Sequence, residues 1–120
     1  MPRSRDEDLT ERSFQFSCDV YDYCDELVRL GGVAPRIAYQ LFDAAGSVGA
    51  NRAEAKSAYS RRDFRSKNSI SLKEVREAHF WLRLADAKGL GNTALRRRLL
   101  DESNQLISIY AAAVRNLEDC

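Results

Sequence analysis

The chain has 120 residues, 44% of them hydrophobic, and a formal net charge of +1. That is enough chain for one core and too little for two. The near-neutral balance excludes the global basic field of a dedicated DNA-binding domain, so any nucleic-acid argument rests on a local patch. No stretch approaches the eighteen or so apolar residues of a membrane span, and the polar start from Met1 to Glu11 does not read as a signal peptide, so a cytoplasmic protein with no membrane partner is expected.

Residues 1–11 carry charge without periodicity and are expected to be a frayed tail, with a bundle over 12–120. The first helix is expected over about 12–30. Phe16, Val20, Tyr23, Cys24 and Leu27 recur at three and four and form one face, and Gly31-Gly32 ends it. Its outer surface holds Asp19, Asp22, Asp25 and Glu26 against Arg29, and Phe14, Tyr21 and Val28 form a second apolar edge. Cys18 and Cys24 point about 120° apart on this helix, so they neither pair nor share a ligand; with Cys120 they read as reduced thiols.

The second helix is expected over about 35–59. Pro35 suits its first turn, and Ile37, Leu41, Ala44, Ala45, Val48, Ala55 and Tyr59 keep helical spacing. Gly46, Gly49 and Ala53 give it a smooth second face where another backbone can come close, which makes them candidates for an oligomer interface. The third helix is expected over about 61–88. Ser60 is its cap and Asp63 stands in the reciprocal position of a capping box. Phe64, Ser71, Leu72, Val75, Ala78 and Leu82 make its seam. Phe80 and Leu84 point outward and join the candidate interface. Gly89 and Gly91 close it, and Asn92 or Thr93 caps a fourth helix over about 93–117, whose seam is Leu95, Leu99, Leu106, Ile109, Ala113 and Leu117. Four helices joined by short turns demand antiparallel neighbours, so the fold class is all-α, an up-down-up-down four-helix bundle.

Positive evidence for catalysis is lacking. There is no Glu-x-x-His pair for a di-iron site, no phosphate loop and no nucleophile elbow, and His79 stands alone on the third helix. No metal and no cofactor are expected. Asn51, Glu54 and Glu74 are the candidate polar cluster. If the flanks of helices two and three face each other, Glu54 and Glu74 approach as a carboxylate pair able to bind a ligand; the favoured reading is a structural network with Arg52, Lys73 or Arg76. Arg61, Arg62, Arg65 and Lys67, near Arg52 and Lys56, are the candidate nucleic-acid patch, weighed against the commoner reading of a solvated charged face.

Three stretches carry a family likeness: Ser47-Val48-Gly49-Ala50-Asn51-Arg52-Ala53-Glu54-Ala55, Ser60-Arg61-Arg62-Asp63-Phe64-Arg65-Ser66-Lys67, and the run from Ser71 to Leu84. Together they resemble the bacterial four-helix-bundle proteins that include those encoded in intervening sequences of 23S ribosomal RNA genes. Many members have Pro where Gly49 stands and Gly where Ala55 stands; Asn51 with Glu54 is kept. The resemblance implies a homo-oligomer, a ring of five subunits, with no established catalytic activity. Similar basic pentamers that assist a reverse transcriptase bind nucleic acid, whereas this chain is near neutral. The expectation is a non-enzymatic assembly or interaction protein whose first partner is itself.

Overall fold

The computed structural model describes residues 5–118, with side chains described for 8–116. They form α1 (Arg5–Leu30), α2 (Ala34–Ala55), α3 (Arg61–Ala87) and α4 (Thr93–Glu118), with no strand among the described residues. Side-chain bonds set each neighbouring pair antiparallel. Ser17 and Cys24 of α1 donate to the carbonyls of Ala45 and Ala38 at 2.8 and 3.3 Å. Ser71 of α3 donates to the Val48 carbonyl of α2 at 2.9 Å, and Arg52 reaches Asn68. Across α3 and α4, His79 meets Ser103 and Asp86 meets Arg96. The bundle closes at α1/α4, where Arg12 grips Glu102, although these two helices touch least. The result is an up-down-up-down bundle 47 × 29 × 21 Å in extent. No helix among the described residues is long and apolar enough to cross a membrane.

The core follows the apolar spacing: Phe16, Val20, Tyr23 and Leu27 from α1, Leu41, Ala44, Ala45 and Val48 from α2, Val75, Ala78 and Leu82 from α3, and Leu99 and Leu106 from α4. At about 25 cal/mol per Å² of apolar surface removed from water, these side chains supply most of the drive to fold.

The helix ends differ from expectation in informative ways. α1 begins at Arg5, inside the stretch expected to be a tail, because buried Leu9 continues the Phe16–Ser13 face two turns upstream of Phe16. Residues 1–4 and the side chain of Leu117 lie outside the described residues, as does Cys120. α2 stops at Ala55 rather than Tyr59. The amides of Lys56, Ser57 and Ala58 turn back to carbonyls three residues earlier, and Ser60 is fully extended at φ −153°. Its hydroxyl accepts from the Asp63 amide at 3.1 Å, so capping of α3 pulls the chain out of α2 and leaves Tyr59 wholly exposed, outside the seam. Asn92, not Thr93, caps α4, accepting from the Leu95 amide at 2.8 Å.

The α3–α4 turn is held from inside. Arg96 is buried and donates to Asp86 at 2.6 Å and to the carbonyls of Leu90 and Gly91 at 2.7 and 3.2 Å. Tyr23 of α1 donates to the same Leu90 carbonyl at 2.8 Å. Gly91 has φ +70°, and a Cβ there would lie 2.9 Å from the Tyr23 ring. Only glycine suits both the backbone and the space.

Candidate functional site

Three places among the described residues are candidates for a site: a polar layer in the core, the charged groups along α2 and α3, and an apolar surface on α1 and α2. In the core near the α2 C-terminus, Arg52 lies in the α2 seam four residues after Val48 and is almost wholly buried. It donates from Nη1 to Asn68 Oδ1 at 2.7 Å and from Nε to Thr10 Oγ1 at 3.1 Å, and its guanidinium sits 5.6 Å from the Phe64 ring centroid. Within reach of the Arg52 charge, the buried hydroxyls of Ser13 and Tyr110 share a 2.6 Å hydrogen bond. Burial raises the Tyr110 phenol above its ordinary value, against the pull of Ser13 and Arg52. All four helices supply this layer. Its hydrogen-bonded groups have the character of a structural network, since buried charges persist only when they are satisfied.

Asn51, Glu54 and Glu74 do not come together. Asn51 Nδ2 donates within its own helix, to the carbonyl and hydroxyl of Ser47 at 2.9 and 3.0 Å. Glu54 is exposed and accepts from Lys67 at 2.8 Å, which holds the Lys67 ammonium above its ordinary value. Val48 meets Ser71 and Glu54 meets Lys67, so the register sets Glu74 opposite residues 45–47. That is roughly 12 Å along α2 from Glu54 at about 1.5 Å per residue. Burial, and then Glu77, raise the Glu74 carboxyl, with Lys73 opposing. The alternative of a Glu54–Glu74 carboxylate pair is therefore not realised, and the helix-two to helix-three lock belongs to Arg52–Asn68, Glu54–Lys67 and Ser71 on the Val48 carbonyl.

The basic residues divide as well. Arg61 and Arg62 are exposed and form no ion pair among the described residues. Arg65 is half-buried, Lys67 is engaged by Glu54, and Arg52 belongs to the core rather than to the patch.

His79 Nδ1 lies 2.8 Å from Ser103 Oγ, an arrangement that resembles a base and a nucleophile. The Ser103 hydroxyl also lies 2.9 Å from the Leu100 carbonyl, so its single proton serves one of two acceptors, and this pair has no third group orienting the imidazole among the described residues. Burial, and then Arg83, lower the His79 pKa. Among the described residues no group of three or more His, Cys, Asp and Glu is placed to hold a metal ion.

The third place is an apolar surface. Phe14, Tyr21 and Val28 of α1 and Tyr39 and Phe42 of α2 are all exposed. Tyr21 and Phe42 meet edge to face at 5.9 Å. A cleft of about 170 Å³ is lined by Tyr21, Cys24, Asp25, Val28, Ala38, Tyr39 and Phe42. Of the candidate interface residues, Gly46 is open to space, and Ala53 and Phe80 are exposed. Gly49 is different: a Cβ there would meet Ser17 Oγ at 3.0 Å, so it serves the α1/α2 contact within one chain. Leu84 packs against the core instead of pointing outward.

A family model described as 23S rRNA-intervening sequence protein matches residues 5–112. The chain belongs to this family. A 23S rRNA-intervening sequence protein is thus a four-helix bundle here. The same architecture occurs in the crystal structure of a protein of unknown function from the S23 ribosomal protein family of Bacteroides thetaiotaomicron, with a TM-score of 0.83, 24% identity, and coverage of 93% of this chain and 99% of that one. No curated protein matches.

Polar seam residues are what sequence reasoning passed over. Asn68 continues the α3 seam three residues before Ser71, and Arg96, Ser103 and Tyr110 continue the Leu99–Leu106 seam of α4 at helical spacing. Spacing alone, applied without regard to polarity, marks all four.

Proposed function

We propose that this family member is a non-enzymatic assembly protein that associates with copies of itself through the outer face of α1 and α2. The observation that carries the reading is the row Phe14, Tyr21 and Val28, extended by Tyr39 and Phe42, all exposed on one side of the bundle. A contiguous aromatic surface of this kind is the usual mark of an association site. The family resemblance makes a ring of five the expected number. Light scattering on the full chain at physiological salt tests the reading: a mass several times 13.6 kDa is expected, and a monomer at micromolar concentration overturns it.

A second reading is nucleic-acid binding through Arg61 and Arg62, supported by their exposure without ion pairs among the described residues. Repetition around an oligomer would multiply a weak patch. It predicts affinity for RNA or DNA that falls steeply with salt and is lost in the Arg61→Ala/Arg62→Ala variant; absence of any gel retardation at low salt overturns it.

A further inference from the structure

Resting on the self-assembly reading, we propose that the contact is head to tail, with Phe80 of one copy seated in the α1/α2 cleft of the next. Phe80 on α3 is exposed and held edge to face on Trp81 at 5.0 Å, which presents its ring outward. The cleft between Tyr21, Val28, Tyr39 and Phe42 measures about 170 Å³, and a cavity of roughly 150 Å³ takes a benzene-sized ring.

Charge favours the pairing. On the cleft side the exposed charges are Asp22, Asp25 and Asp43 against Arg29 and Arg36; Arg29 and Asp25 neutralise each other, which leaves Asp22 and Asp43 against Arg36, a modest acidic excess. Around Phe80 the exposed charges on α3 are Lys73, Arg76 and Arg83 against Glu77. Two cleft faces brought together would oppose acid to acid, and two Phe80 faces would oppose cation to cation. One face against the other is complementary. A copy carries both faces on different helices, so each can bind a neighbour on both sides, and such a contact generates a ring where the rotation closes.

The test uses two full-length variants, each spoiling one face at an exposed residue: Phe80→Asp and Tyr39→Glu. Circular dichroism checks that both remain helical, and Arg76→Glu/Arg83→Glu serves as a second way of spoiling the α3 face. Self-association of each variant should weaken by at least about thirty-fold, the level expected of a central anchor residue. Mixing Phe80→Asp with Tyr39→Glu should then give a single one-to-one heterodimer by light scattering, because one intact cleft and one intact Phe80 remain. Wild-type oligomers that persist undiminished in Phe80→Asp and in Arg76→Glu/Arg83→Glu overturn this inference and leave self-assembly standing. Two monomeric variants that stay monomeric when mixed also overturn it. A monomeric wild type removes both readings together.

Discussion

Arg52 of α2 donates to Asn68 of α3 across 2.7 Å where neither residue is more than 1% exposed. A guanidinium in the core tolerates no loss of its acceptors. Asn68→Ala should therefore cost about 2–3 kcal/mol in urea unfolding, more than the same change at a surface asparagine such as Asn104. An unchanged midpoint would mean that the pair contributes nothing.

The helix glycines should separate cleanly. Gly46→Ala meets open space in a helix interior and should stabilise the isolated chain by about 0.5–1 kcal/mol. Gly49→Ala presses on a Ser17 hydroxyl already committed to the Ala45 carbonyl and should lower the melting temperature. Gly91→Ala combines a positive φ with a 2.9 Å approach to Tyr23 and should be the most harmful of the three, at about 2–3 kcal/mol. Thermal unfolding of the three variants ranks them.

Protonation of His79 should weaken the fold. Its pKa is lowered in the bundle by burial and by Arg83, so the unfolded chain, titrating near 6.5, takes up the proton first as pH falls. Stability is then fully retained above about pH 6.5 and lost progressively below it. Urea midpoints between neutral and mildly acidic pH should fall more for the wild type than for His79→Gln; parallel curves would refute the assignment.

The two described thiols should differ in reactivity. Cys24 is buried, donates to the Ala38 carbonyl and is pushed up to about 12 by burial, whereas Cys18 is partly exposed. Thiolates are the reacting species. Iodoacetamide under native conditions should therefore modify Cys18 and spare Cys24, with both labelled after denaturation, as peptide mass mapping would show.

The helix order and the α3 cap were readable because they depend on local rules: apolar spacing, Ser60 accepting from Asp63, and glycines where the chain reverses. The limits of α1 and α2 were less legible, since α1 is extended by Leu9 docking on neighbours that no local pattern reveals. Arg52 was legible as a member of a buried structural network, but its partners were not. Its burial depends on Thr10 and Asn68 arriving from two other helices, a coincidence of three distant positions. Glu54 and Glu74 failed as a pair for the converse reason: register along α2 and α3 is a tertiary quantity, and roughly two helical turns separate them. Gly49 was expected on an oligomer interface where another backbone comes close; the helix that comes close to it here is α1 of the same chain.

The polar layer bears on handedness. An antiparallel four-helix bundle can turn to the left or to the right, and an apolar seam fills either arrangement almost equally well. Thr10 and Ser13 lie on adjacent flanks of α1, one bonded toward α2 through Arg52 and the other toward α4 through Tyr110. Reversing the turn would exchange those two neighbours and break both bonds at buried polar atoms. The layer thus chooses between two folds that the oily seam cannot tell apart.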